Sequence, residues 1–188
     1  GILKNIMSKP IVFLVFGFLC QSQIIWNLGS PPSMPFEKAG AALGYDNITN
    51  KIYLIGGPNN MDNIYSYNLN GGYFNYEPKI GPSINWGSNG LASQGYTQIN
   101  RIIYIYKNSQ LMYYNIDTTI YDIESNLTGG PIDGCITSDN RDIYLIEERE
   151  FYVYTTMDGN WYNLIGPQHN HENGACEFHS NKVYAISG

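Results

Sequence analysis

Two cysteines, two sequons, a His-x-His pair and a run of acidic residues are the side chains of this chain whose types and spacing suggest chemistry. Cys135 and Cys176 each stand five residues before an asparagine, Asn140 and Asn181, and so occupy similar places. In an oxidising compartment such a pair can form a disulfide. Counted from Gly134 and Gly174 they differ by one register, which points them to opposite strand faces, and a bridge needs a short Cα separation. The expectation is two small buried thiols, with the disulfide as the alternative. His169-Asn170-His171 offers two nitrogen ligands, but a metal site takes three or four, and none completes the set at motif spacing. We read it as a polar loop and expect no metal or other cofactor. Asn47-Ile48-Thr49 and Asn126-Leu127-Thr128 are N-glycosylation acceptors in a eukaryotic secretory pathway, both expected in turns between strands. Asp139, Asp142, Glu147, Glu148 and Glu150 form an acidic cluster, read as a solvated turn with a cation or basic partner as the alternative. No constellation supports a catalytic role.

These residues sit on a repeat. Asn50-Lys51-Ile52-Tyr53-Leu54-Ile55 recurs as Asn100 to Ile105, Asn140 to Leu145 and Asn181 to Ile186, with the tyrosines Tyr53, Tyr104, Tyr144 and Tyr184 at steps of 51, 40 and 40 residues. Repeats of this length mark solenoids, propellers or arrays. Each unit opens on Gly and small or apolar residues: Gly40-Ala41-Ala42, Gly90-Leu91-Ala92, Gly134-Cys135-Ile136 and Gly174-Ala175-Cys176. These read as first strands and the tyrosine segments as second strands buried on both faces. Third and fourth strands follow: Asn63–Leu69 and Tyr73–Tyr76, then Leu111–Asn115 and Thr119–Tyr121, then Phe151–Tyr154 and Trp161–Leu164. Each unit closes on Gly-Pro, at Gly81-Pro82, Gly130-Pro131 and Gly166-Pro167. The units span approximately 36–80, 86–128, 131–166 and 173–188.

The composition suits a folded domain: 43% hydrophobic and 14% charged, with 17 Tyr against 7 Phe. Tyrosine favours half-buried strands with one wet end. The net charge of −6 argues against nucleic acid as a partner. Residues 1–22 read as a secretory signal: Lys4 and Lys9, the apolar run Ile11 to Leu19, then Cys20-Gln21-Ser22, with cleavage before Gln23. The run is too short to span a bilayer, so no membrane span is expected in the secreted chain.

Four antiparallel strands per unit of this length is the pattern of a propeller blade. The unit resembles the kelch repeat, a hydrophobic strand ending in Gly-Gly, then a Tyr, then a Trp about six residues later. Gly56-Gly57 leads to Tyr67 with Tyr73 in the Trp place, and Tyr154 leads to Trp161. Tyr106-Lys107 and Ile146-Glu147 replace Gly-Gly, which puts the following loops in question. The resemblance implies an all-β, kelch-type β-propeller of which about three and a half four-stranded blades are present. That number does not close a ring of 4–8 blades, so the expectation is a fragment of a longer chain. Ile24 to Leu28 then reads as the closing strand of the last blade. The resemblance implies a secreted or cell-surface binding module for a protein or a glycan. The alternatives are a copper radical oxidase of the galactose oxidase type, for which no ligand residues can be assigned, and a structural extracellular protein.

Overall fold

The asparagine that opens each repeat has a backbone reason to be there. Asn50, Asn100, Asn140 and Asn181 all adopt positive φ, between 53° and 71°. Among residues with a side chain, Asn tolerates this left-handed conformation best, because its short amide can bond locally. Each one turns the chain from a first strand into a second. A computed structural model describes residues 40–57, 63–83, 94–171 and 174–186. The proposed signal, the segment Ile24 to Leu28 and Gly90 to Ala92 lie outside the described residues.

The described chain is all-β. β1 (Ala42–Asp46), β2 (Lys51–Ile55), β3 (Ile64–Asn68) and β4 (Tyr73–Glu77) form a four-stranded antiparallel meander, sheet 1. β5 (Tyr96–Ile99), β6 (Ile102–Lys107), β7 (Gln110–Asn115) and β8 (Tyr121–Asn126) form sheet 2. β9 (Cys135–Ser138), β10 (Asp142–Glu147), β11 (Glu150–Thr155) and β12 (Asn160–Leu164) form sheet 3. β13 (Ala175–His179) and β14 (Lys182–Ile186) form a two-stranded sheet 4. Among the described residues no helix is long and apolar enough to cross a membrane.

The repeat sets the register. Tyr53, Tyr104, Tyr144 and Tyr184 are cross-strand partners of Gly44, Thr97, Thr137 and Glu177, the same place in four hairpins. Because side chains alternate along a strand, the second strands of sheets 2 and 3 each send one set to the preceding sheet and the other to the following sheet. Tyr53 and Ile55 face forward into sheet 2, where they meet Ile103, Ile105 and Tyr114. Tyr104 and Tyr106 face forward into sheet 3, where they meet Ile143, Leu145 and Tyr154. Both faces of β6 are thus core, which is why that segment is apolar throughout, whereas in β14 Tyr184 and Ile186 are exposed.

The first strands are joined across each seam by a side chain. Gln98 clamps the Tyr45 backbone, donating Nε2 to its carbonyl at 2.8 Å and accepting its amide at 2.7 Å. Thr97 Oγ1 lies 2.9 Å from Ser138 Oγ, and the Phe178 amide donates to Thr137 Oγ1 at 3.0 Å.

Register also revises the aromatic pairing expected from the repeat. The partner of Tyr67 is Phe74, not Tyr73, with ring centroids 4.8 Å apart. Phe74, Tyr121 and Trp161 each lie seven residues after Tyr67, Tyr114 and Tyr154 and directly opposite them. The seven-residue spacing is the length of a tight turn plus the strand ends it joins.

Candidate functional site

The turns from second to third strand and the crossovers between sheets gather at one end of the stack. Ser109, in the β6–β7 turn, accepts the Leu127 amide at 2.9 Å and donates its own to Ile132 O at 3.1 Å. The two positions that depart from Gly-Gly explain themselves here. β6 and β10 simply continue, to Lys107 and Glu147, and then reverse in tight turns with positive φ at Asn108, Ser109 and Glu148. Where sheet 1 has Gly56-Gly57, both at positive φ, sheets 2 and 3 have Lys107, which is buried, and Glu147, which is half-buried.

A groove of about 480 Å³ lies between sheets 2 and 3, walled by Gly129 to Asp133 and by Glu147, Glu148 and Glu150. The crossover wall is held from below: Tyr106 Oη donates to Pro131 O at 2.6 Å and Ser109 Oγ to the same oxygen at 3.0 Å. Burial pushes the Tyr106 phenol well above its ordinary value, so it stays a donor. Lys107 is nearly buried and reaches Asp133 Oδ2 at 2.8 Å. The other Asp133 oxygen is buried without a partner among the described residues. Glu147 and Glu150 face each other directly across β10 and β11. Like charges in that position repel.

The acidic cluster seen in the sequence is therefore two features at opposite ends of β10. Asp139 and Asp142 belong to the hairpin end. Asp139 accepts the amides of Arg141 at 3.0 Å and Asp142 at 2.7 Å, and the Tyr144 hydroxyl at 3.0 Å. Burial pushes its carboxyl up, but these bonds outweigh it and hold it below the ordinary value. It is a turn cap. Asp133 went unnoticed in the sequence. Its signal was the Lys107 that replaces glycine, a cation that needs a nearby carboxylate once buried.

The cysteines require a correction. Cys135 and Cys176 are joined in a disulfide, with Cα atoms 5.9 Å apart. The one-register offset is real: Cys135 pairs with Ile146, whereas Cys176 pairs with Ala185. In stacked sheets, equivalent positions all point the same way along the stack. Two side chains from successive sheets face each other only when they differ by one position. The offset taken as evidence against the bridge is what makes it possible.

Asn47 is exposed in the β1–β2 turn, as expected. Asn126 is not in a turn; it is the exposed last residue of β8, and its Oδ1 accepts Gln110 Nε2 at 3.0 Å. His169 is exposed, and the His171 amide bonds Glu148 O at 3.0 Å. Among the described residues no three His, Cys, Asp or Glu side chains are grouped to hold a metal. No family model matches the chain, and no curated protein matches it.

Proposed function

We propose that this chain is an arc of a kelch-type β-propeller serving as a secreted or cell-surface binding module, and that it takes a protein ligand through a basic segment in the groove between sheets 2 and 3. The observation that carries the reading is the placement of Glu147, Glu148 and Glu150 around the groove opposite Asp133. The strand code repeats between sheets, while the residues at this end differ from unit to unit. Variable loops on a repeated scaffold are where binding residues concentrate. The Cys135–Cys176 disulfide and the pattern of residues 1–22 both support export to an oxidising compartment.

The test is titration of the full chain with a lysine- and arginine-containing nonapeptide and with its glutamate-substituted counterpart. The basic peptide should bind, more weakly as salt rises. The double charge reversal Glu148→Lys/Glu150→Lys should weaken it by about tenfold or more. Equal binding of both peptides, or no effect of the reversal, would remove the groove from the account.

A further inference from the structure

The seam between sheets 2 and 3 is filled from both sides, and one strand ladder beside it is distorted. Along β7 and β8, Leu111 pairs with Ser125 but Met112 pairs with Ile123, so Glu124 is an extra residue in a β-bulge. The matching ladders of sheets 1 and 3 run without a shift. A bulge re-aims a side chain. Here the exposed Glu124 reaches across the seam, where its Oε1 accepts the Tyr154 hydroxyl at 2.8 Å. Tyr154 is buried and lies against Trp161, with ring centroids 5.3 Å apart. Trp161 is half-buried and has a second aromatic neighbour, Tyr106, at 5.9 Å. The three rings differ in what can take their proton. Trp161 Nε1 is buried without a hydrogen-bond partner among the described residues. Tyr106 donates to the Pro131 carbonyl, a very weak base. Of the three, Tyr154 alone donates to a carboxylate.

We propose that Trp161, Tyr154 and Glu124 form a one-electron redox site, in which Trp161 yields an electron to an outer-sphere oxidant and the hole settles on Tyr154 with Glu124 as proton acceptor. Indole and phenol rings give up an electron more readily than the aliphatic and amide groups around them. The oxidant takes one electron from Trp161 and leaves an indole radical cation that keeps its N–H. Tyr154 then passes an electron to Trp161 while its phenolic proton moves to Glu124 Oε1. The products are the reduced oxidant, neutral Trp161, a neutral Tyr154 phenoxyl radical and protonated Glu124. A one-electron reductant such as ascorbate restores the phenol, which takes the proton back. Burial and the bond to Glu124 push the Tyr154 phenol well above its ordinary value, so it is un-ionised at rest and must shed a proton with its electron. A base already at hydrogen-bond distance takes that proton in the same step. Tyr106 has a similar ring contact with Trp161 but no such base, so the hole does not settle there. The site does not depend on the ligand groove.

Flash oxidation of the full chain by photogenerated tris(bipyridine)ruthenium(III), followed by transient absorption, tests it. A Trp26→Phe/Trp86→Phe background leaves Trp161 as the sole indole of the chain. The indole radical signal should decay as a phenoxyl signal rises, and heavy water should slow that decay by about twofold or more. Tyr154→Phe and Glu124→Gln should each lengthen the life of the indole radical by about tenfold or more, since each removes the hydrogen bond to a charged acceptor. Tyr106→Phe should leave it unchanged. Glu124 is exposed, so its glutamine variant keeps the fold and separates the proton acceptor from the packing of the rings. An indole radical whose lifetime ignores both substitutions, or which Tyr106→Phe prolongs as much as Tyr154→Phe does, would overturn the site. So would a decay that heavy water does not slow.

Discussion

Gly44 lies directly against Ile103: a Cβ placed on it would come 2.2 Å from Ile103 Cδ1 and 2.5 Å from Cγ1. Ile103 is fully buried in the seam between sheets 1 and 2 and has nowhere to retreat. The missing side chain also lets Gln98 reach the β1 backbone beside it.

Gly44→Ala should therefore destabilise the protein by about 1–3 kcal/mol through overpacking. The double variant Gly44→Ala/Ile103→Ala should be more stable than the sum of the two single effects predicts, by about 1 kcal/mol. Urea unfolding of all four proteins reads this, and strict additivity would show that the two residues do not share a seam.

The same seam holds an acid-sensitive link. The Asp46 side chain is fully buried, accepts the Ile48 amide at 3.0 Å, and pairs with Arg101, which also binds Asp117 at 2.8 Å. Burial pushes its carboxyl up, but bonds from Thr49, the Ile48 amide and Arg101 outweigh it and lower its pKa below 3.8. A lowered folded value means the stabilisation is fully present above the unfolded value and is lost as pH falls through the folded one. Asp46→Asn should cost about 2–3 kcal/mol near neutral pH. The gap to the native protein should close as pH falls from about 5 toward about 2. Thermal melts across that range check it; a constant gap would rule out the carboxylate as the cause.

The motif asparagines make a backbone prediction. Asn100 has φ of 53° and sits at an exposed turn. Asn100→Gly should leave stability within about 0.5 kcal/mol, whereas Asn100→Val should cost about 1–2 kcal/mol, since only a side chain branched at Cβ resists that conformation strongly. Equal effects would mean that the Asn amide, not the backbone, is what matters.

Export and modification are checked together. Secretion from a eukaryotic host should yield a mature chain starting at or near Gln23. Asn47 and Asn126 are both exposed, so each should carry a glycan that Asn→Gln substitution removes. Mass spectrometry of the intact and glycosidase-treated protein reads both; a chain that keeps residues 7–22 would contradict the signal reading.

The strand order was legible in the sequence because local chemistry encodes it. Period-two apolar segments, turn residues and the recurring step of three or four residues from Asn to Tyr each act within a few residues, so they locate the second and third strands and the hairpins between them, whereas the fourth strand of the second unit, expected over Thr119–Tyr121, instead runs over Tyr121–Asn126. Contacts between strands far apart in sequence were not legible. Whether Cys135 meets Cys176 depends on which face of sheet 3 looks toward sheet 4, a relation that arises only when sheets stack. The same holds for Tyr67, whose neighbour is fixed by pairing register rather than by counting to the nearest aromatic. The acidic cluster shows it most plainly. Five carboxylates adjacent in sequence are separated by the length of β10, roughly 16–20 Å at the rise of an extended strand, and only three remain in one place. Asp133, absent from that cluster, joins them because the crossover from sheet 2 folds back over the β10–β11 turn. Sequence determines what each segment becomes; the tertiary fold decides which side chains share a space, because packing places residues by surface rather than by order.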